Sequence, residues 1–153
     1  MNRQLFVRVP GVPENEIMAF HRRSRIRVID TDVSTRIHYT ALFRHVEAAE
    51  TEFLRSLGVE YSRWFEMGLS FPRIHVEADY LAPLLFDEEI DTEMRVDRIG
   101  DSSITFAFQV TKIATGEVGA RGQLVGVCMD IESEKSTPIP PVIRQAFEQA
   151  QAV

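Results

Sequence analysis

From Tyr39 to Leu57 apolar side chains recur at spacings of three and four: Leu42, Val46, Ala49, Phe53 and Leu57 form a row, with Phe43 and Leu54 beside it. This period predicts an amphipathic helix with one covered stripe. Gly58 follows where a C-terminal cap belongs. A second, shorter helix is predicted around Tyr61 to Met67. After that the period changes to two. Ile74, Val76, Ala78 and Tyr80 alternate with Arg73, His75, Glu77 and Asp79, which predicts a strand with one buried and one polar face. Ile90 to Val96 repeats the pattern, and Ile104, Phe106, Phe108 and Val110 carry it through a third strand. Gly100-Asp101 and Thr115-Gly116 are turn signals between them. Val118 to Ile131 reads as a fourth and longest strand, whose Gly119, Gly122 and Gly126 mark bends or close backbone approaches.

Ahead of the long helix, Arg25 to Ile29 reads as a short strand with Ile26 and Val28 on one face. Pro138, Pro140 and Pro141 introduce a terminal helix over Val142 to Ala152. The order is strand, long helix, then antiparallel strands joined by hairpins. That makes an α+β protein in which a sheet wraps one long helix. Residues 1–153 are read as a single domain, with 1–23 as an N-terminal extension of mixed character.

Composition narrows the function classes. With 153 residues, 44% hydrophobic and 26% charged, the chain suits one soluble core. A net charge of -6 argues against general nucleic-acid or membrane binding, although six arginines stand at or before Arg27 against Glu14 and Glu16. The lone Cys128 excludes an internal disulfide or a cysteine zinc site. No apolar run has the roughly 20 residues of a membrane helix. The expectation is a cytoplasmic protein.

The segment between the first strand and the helix holds Asp30 and Asp32, then His38 and Tyr39. A helix start offers unpaired N–H groups and a positive dipole end. These can hold a thioester carbonyl oxygen, while a nearby carboxylate attacks the carbonyl or takes a proton from water. Acidic residues before helices also serve as caps and Asx-turns, so the pair alone is not specific.

Asp30-Thr31-Asp32, Ile37-His38-Tyr39, Phe43-Arg44 and Glu47-Ala48-Ala49 together resemble the opening signature of the 4-hydroxybenzoyl-CoA thioesterase family. Val76-Glu77-Ala78-Asp79-Tyr80-Leu81-Ala82-Pro83-Leu84 is similar to that family's central strand, and Gly100-Asp101-Ser102-Ser103 to its turn into the fourth strand. The resemblance runs from about Arg25 to Ile139. It implies the hotdog fold, a long central helix wrapped by a curved antiparallel sheet of about five or six strands. It also implies hydrolysis of acyl-CoA or acyl-carrier-protein thioesters without metal or cofactor, by a homodimer or homotetramer. The family's catalytic aspartate falls on Asp32 and its polarising amide near Tyr39. His38 stands one position before the histidine of one branch. Glu47 is the rival carboxylate, because other hotdog branches use a helix glutamate. Thr40, Phe43, Arg98 and Ser103 are the substrate-binding candidates.

Two departures stand out. Val33-Ser34-Thr35 replaces a Pro-Ala-Gly-like run, and Thr35 resists the positive φ that glycine accepts. Arg98 is the one arginine of Asp97-Arg98-Ile99-Gly100-Asp101, where some members cluster cations for the CoA phosphates. Asp30 reads as a structural partner for its loop. His75, Glu77 and Asp79 share a strand face, but a solvated or interface face explains them better than a metal. The competing functions are an acyl-CoA-binding hotdog module without catalysis and, less fitting, a hydratase.

Overall fold

The computed structural model describes residues 19–151. Residues 1–18, most of the proposed N-terminal extension, therefore lie outside the described residues. Strand β1 spans Phe20–Arg25, helix α1 Ala41–Ser56 and helix α2 Tyr61–Glu66. Two-residue β2 (Leu69–Ser70) leads into β3 (Arg73–Tyr80), β4 (Glu89–Ile99), β5 (Ser103–Lys112) and β6 (Val118–Val127), followed by two-residue β7 (Met129–Asp130) and helix α3 (Pro141–Gln151). Five strands form one antiparallel sheet in the order β1-β4-β5-β6-β3, while β2 pairs with β7. The long helix lies in the curve of this sheet, the hotdog arrangement.

Why α1 sits there follows from its stripe. Leu42, Val46, Ala49, Phe53 and Leu54 are buried, and Phe53 stacks on Phe20 of β1 at 5.6 Å and meets Phe106 of β5 edge-on at 6.2 Å. Phe106 also takes Phe71 and, from α3, Phe147. Gly58 adopts φ +70 just past α1, and the Val59 N–H reaches back to the Leu54 carbonyl at 3.0 Å, closing the helix end. Gly122 permits another close approach: a Cβ there would stand 2.0 Å from the Glu77 carbonyl oxygen of β3.

Two expectations change. The first strand lies earlier than Arg25 to Ile29. Pairing with β4 from Phe20↔Met94 to Arg25↔Glu89 fixes it, and Val28–Asp30 is a 3-10 turn with Val28 and Ile29 exposed. Residues 20–23 of the extension thus belong to β1. Strand β3 also lacks a buried face in the single chain. Val76, Ala78 and Tyr80 pair with Leu124, Gly122 and Ala120, so they face the helix side. Yet Ile74 is 64%, Val76 49% and Tyr80 47% exposed. Among the described residues β3 is an edge strand, and α1 leaves most of its face uncovered. The last long strand breaks at Cys128, where β6 ends and β7 begins. None of the described helices is long and apolar enough to cross a membrane.

Candidate active site

The Asp32 loop is a small hairpin of its own. Thr31 bridges Ile37, the Asp32 N–H donates to the Arg36 carbonyl at 2.9 Å, and the Thr35 N–H donates to the Asp32 carbonyl at 3.1 Å. The turn needs a left-handed residue, and Thr35 supplies it at φ +64. This β-branched side chain therefore accepts the conformation that a glycine would take freely. Leu85 bridges Arg36, and the Phe86 N–H donates to the Thr35 carbonyl at 2.9 Å, so the chain entering β4 flanks the loop.

Asp32 is exposed. Its Oδ1 accepts the Ser34 hydroxyl at 2.6 Å and the Ser34 N–H at 2.7 Å. These bonds to the Ser34 hydroxyl and amide, with lesser help from His38 and Arg36, hold the carboxyl below the usual carboxylate range. The arrangement is an Asx-turn, and it leaves Oδ2 without a partner among the described residues.

The start of α1 lies beside this loop because the His38 N–H donates to the Asp30 carbonyl at 2.8 Å. Next to it, the Tyr39 N–H meets no acceptor among the described residues. Thr40 is the N-cap, and its N–H donates to His38 Nδ1 at 3.2 Å. Nδ1 is thus an acceptor, which leaves the proton of a neutral ring on Nε2. The Tyr80 hydroxyl of β3 donates to the Tyr39 carbonyl and ties this turn to the sheet edge. Burial, then the nearby Tyr39, raise the Tyr80 pKa.

The structure thus gathers Asp32, His38, Tyr39 and Thr40 at one end of α1. Phe43 lies one turn in, half-buried and edge-on to Phe108 at 6.3 Å. Glu47 is exposed further along and accepts a long 3.4 Å bond from Thr51. Arg98 and Ser103 are elsewhere. They stand at the far end of the β4–β5 hairpin, whereas the Asp32 loop adjoins the start of β4 at Glu89. Nine strand residues separate those ends, roughly 30 Å at about 3.4 Å per residue. Within one chain they do not share the Asp32 site.

Polar side chains within the apolar stripe form two further clusters. Asp30 is 1% exposed; its Oδ2 accepts the Arg27 N–H at 2.8 Å and lies 3.2 Å from His45 Nε2. Burial pushes the Asp30 carboxyl up, but the Arg27 amide, His45 and the Arg27 charge outweigh it and hold it low. Burial also lowers the His45 pKa against the pull of Asp30. The second cluster joins buried Glu50 to Arg73, which also reaches the Tyr61 hydroxyl at 2.6 Å. Burial raises the Glu50 carboxyl despite Arg73. Sequence reasoning missed His45 and Glu50; the available signal was a titratable residue beside the helical stripe.

On the opposite face of the sheet, a shallow polar groove of about 280 Å³ is lined by Glu77, Asp79, Glu93, Arg95 and Arg121, among others. His75 pairs with Glu77 at 3.1 Å and Asp79 with Arg121 at 3.8 Å, so the strand face read from the alternation is largely self-neutralised.

Comparison with known proteins adds a second line of argument. Residues 26–147 match the thioesterase-like superfamily. A protein of Aquifex aeolicus (strain VF5), provisionally assigned as an esterase, is 32% identical over 95 residues, 62% of this chain and 74% of that one. The 1,4-dihydroxy-2-naphthoyl-CoA hydrolase of Prochlorococcus marinus (strain NATL2A) is 26% identical over 57% of this chain and 61% of its own length. Among solved structures, a gentisyl-coenzyme A thioesterase superposes with a TM-score of 0.74 at 25% identity, over 83% of this chain and 98% of that one.

Proposed function

The chain belongs to the thioesterase-like superfamily, and on that premise we propose that it hydrolyses an acyl-CoA thioester to the free acid and the thiol, with Asp32 as the reacting carboxylate. The observation that carries the reading is the pairing of an exposed, readily ionised Asp32 with an unpaired Tyr39 N–H across one small loop. Two of the three named relatives, the 1,4-dihydroxy-2-naphthoyl-CoA hydrolase and the gentisyl-coenzyme A thioesterase, support that substrate class.

The chemistry follows from those two groups. The thioester oxygen docks on the Tyr39 N–H, which strengthens its bond as negative charge builds there. Asp32 takes a proton from water while the water oxygen attacks the carbonyl carbon. The tetrahedral oxyanion collapses, the C–S bond breaks, and the thiolate recovers the proton from the Asp32 carboxyl. Direct attack by Asp32 gives an acyl anhydride that water then opens, with the same net result. His38, whose Nδ1 is taken by Thr40, keeps Nε2–H as a further donor near the helix start.

The acting unit in this reading is at least a pair of chains. Among the described residues, strand β3 leaves a backbone edge unpaired and an apolar face uncovered next to Tyr39, through Tyr80. A second copy closes the edge and walls the acyl slot.

The test is Asp32→Asn, which keeps size and removes the charge. Turnover on a panel of acyl-CoAs should fall at least about a hundredfold, with KM and oligomeric state little changed. Glu47→Gln should stay near normal. The reverse pattern would move the chemistry to the helix glutamate, and no hydrolysis by the parent protein would leave a binding module.

A further inference from the structure

Three elements meet at one buried imidazole. His45 on α1 is 7% exposed; its Nδ1 lies 2.9 Å from the Ser24 hydroxyl on β1, and its Nε2 lies 3.2 Å from Asp30 Oδ2. The Nε2 contact is off the line of a good hydrogen bond, so that N–H is held by charge attraction rather than by a well-aligned acceptor. Arg44 closes the cluster from outside, 3.4 Å from Asp30 Oδ1 and 3.2 Å from the Ile29 carbonyl.

Asp30 in turn grips the active loop on both sides. Its carboxylate takes the Arg27 N–H at 2.8 Å, which sets the 3-10 turn leading to Asp32. Its carbonyl takes the His38 N–H at 2.8 Å, one residue before the Tyr39 amide. Whatever fixes Asp30 therefore fixes the distance between the reacting carboxylate and the amide opposite it. Asp30 is nearly sealed from water, and His45 is the neutral ring placed to fix it from the helix side. The position adjoins the helical row Leu42, Val46 and Ala49, which is otherwise apolar. A polar ring there needs another reason.

We infer that His45 is a positioning residue for the Asp32 reaction: through Ser24 and Asp30 it holds the Asp32 loop in register with the Tyr39 amide. This rests on the proposed pairing of Asp32 with Tyr39. The imidazole takes no part in bond breaking. In the neutral ring Nε2–H faces Asp30, and Nδ1 accepts the Ser24 hydroxyl proton.

The test compares His45→Leu, His45→Gln and Ser24→Ala with the parent protein. It reads steady-state kinetics on acyl-CoAs and amide hydrogen exchange across residues 28–40. His45→Leu keeps the volume and removes both polar contacts, while His45→Gln restores a neutral donor toward Asp30. Expected for His45→Leu are a fall in kcat of about tenfold to a hundredfold, the cost of a small misplacement, with KM within about twofold. Exchange in residues 28–40 should rise while α3 exchange stays unchanged. His45→Gln should recover most of the kcat, and Ser24→Ala should show a weaker form of the same split. A His45→Leu protein with normal kcat and normal exchange in residues 28–40 overturns the inference. So does one whose loss is equal in Leu and Gln variants. If His45→Leu does not fold, the Gln and Ser24→Ala variants decide by the same two readouts. If the parent protein hydrolyses no thioester, the proposed function fails, and the exchange measurement still decides whether His45 orders the loop.

Discussion

Replacing Val76 by lysine should dissociate the protein. Val76 lies at the middle of β3, on the helix side of the sheet, and is 49% exposed; Ile74 beside it is 64% exposed. Fully burying such a side chain is worth roughly 1.5–3 kcal/mol, so covering the exposed half returns about 1 kcal/mol each. A two-fold interface counts every residue twice, and these two positions together contribute about 4 kcal/mol to the dimer. Val76→Lys removes about half of that and brings two ammonium groups close together, for a total of about 3–4 kcal/mol. At 1.4 kcal/mol per decade this weakens the dimer several-hundredfold. Antiparallel self-pairing centred on Val76 would also set His75 against Glu77 of the other copy, twice, whereas a centre on Glu77 would oppose two carboxylates. Sedimentation velocity from nanomolar to tens of micromolar protein measures the shift, with Val142→Lys on α3 as a surface control. An unmoved equilibrium in Val76→Lys, or a wild-type monomer fully active at micromolar concentration, would refute the reasoning.

Three further outcomes are expected. Thr35→Gly should raise thermal stability by a few degrees, because relief of a strained left-handed residue, about 1–3 kcal/mol, exceeds the extra chain entropy of glycine, about 0.5–1 kcal/mol; a calorimetric scan that shows destabilisation contradicts this. Asp30→Asn should lower stability by about 1–3 kcal/mol at neutral pH by leaving donors poorly matched. Because the folded Asp30 carboxyl is held below the ordinary aspartate value, its contribution is present above that value and is lost as pH falls through the lower folded one. Urea titrations at pH 7 and pH 3 should therefore show the gap between parent and variant shrinking in acid, and a constant gap would count against the ionised pairing.

Much of the architecture was legible because local pattern and burial agree. The α1 stripe, its Gly58 terminus and the alternation in β4 and β5 each name a covered face, and the fold covers them. Where pattern and pairing part company, the reading slipped. Phe20 to Arg25 is too basic to resemble a strand, yet β4 pairs with it across six residues. Val28 and Ile29 look like strand residues and are 71% and 73% exposed. In β3 the alternation separates two faces from His75 onward, but an irregularity between Arg73 and His75 turns Arg73 to the helix side, where it meets Glu50. Period two cannot say what covers either one, because that depends on a neighbour beyond the chain's own core.

The site divides along the same line. Asp32, His38 and Tyr39 are neighbours in sequence, so a hairpin loop and a helix start suffice to bring them together, and a short motif can point to them. Asp30 and His45 are fifteen positions apart, and Ser24 sits on another element; only the packing of α1 against β1 joins them. A single chain without that packing offers one hint, a histidine on an otherwise apolar helical face. Its energetic meaning depends on what it meets there. Facing a hydrophobic wall, it would be a costly accident. Facing a sealed carboxylate whose two backbone contacts bracket Asp32, it links the core of the fold to the geometry of the reaction. The stability of this end of the protein and its turnover should therefore respond to the same few side chains, but by different measures. Loss of Asp30 charge should show chiefly in unfolding, whereas loss of the His45 contacts should show chiefly in kcat.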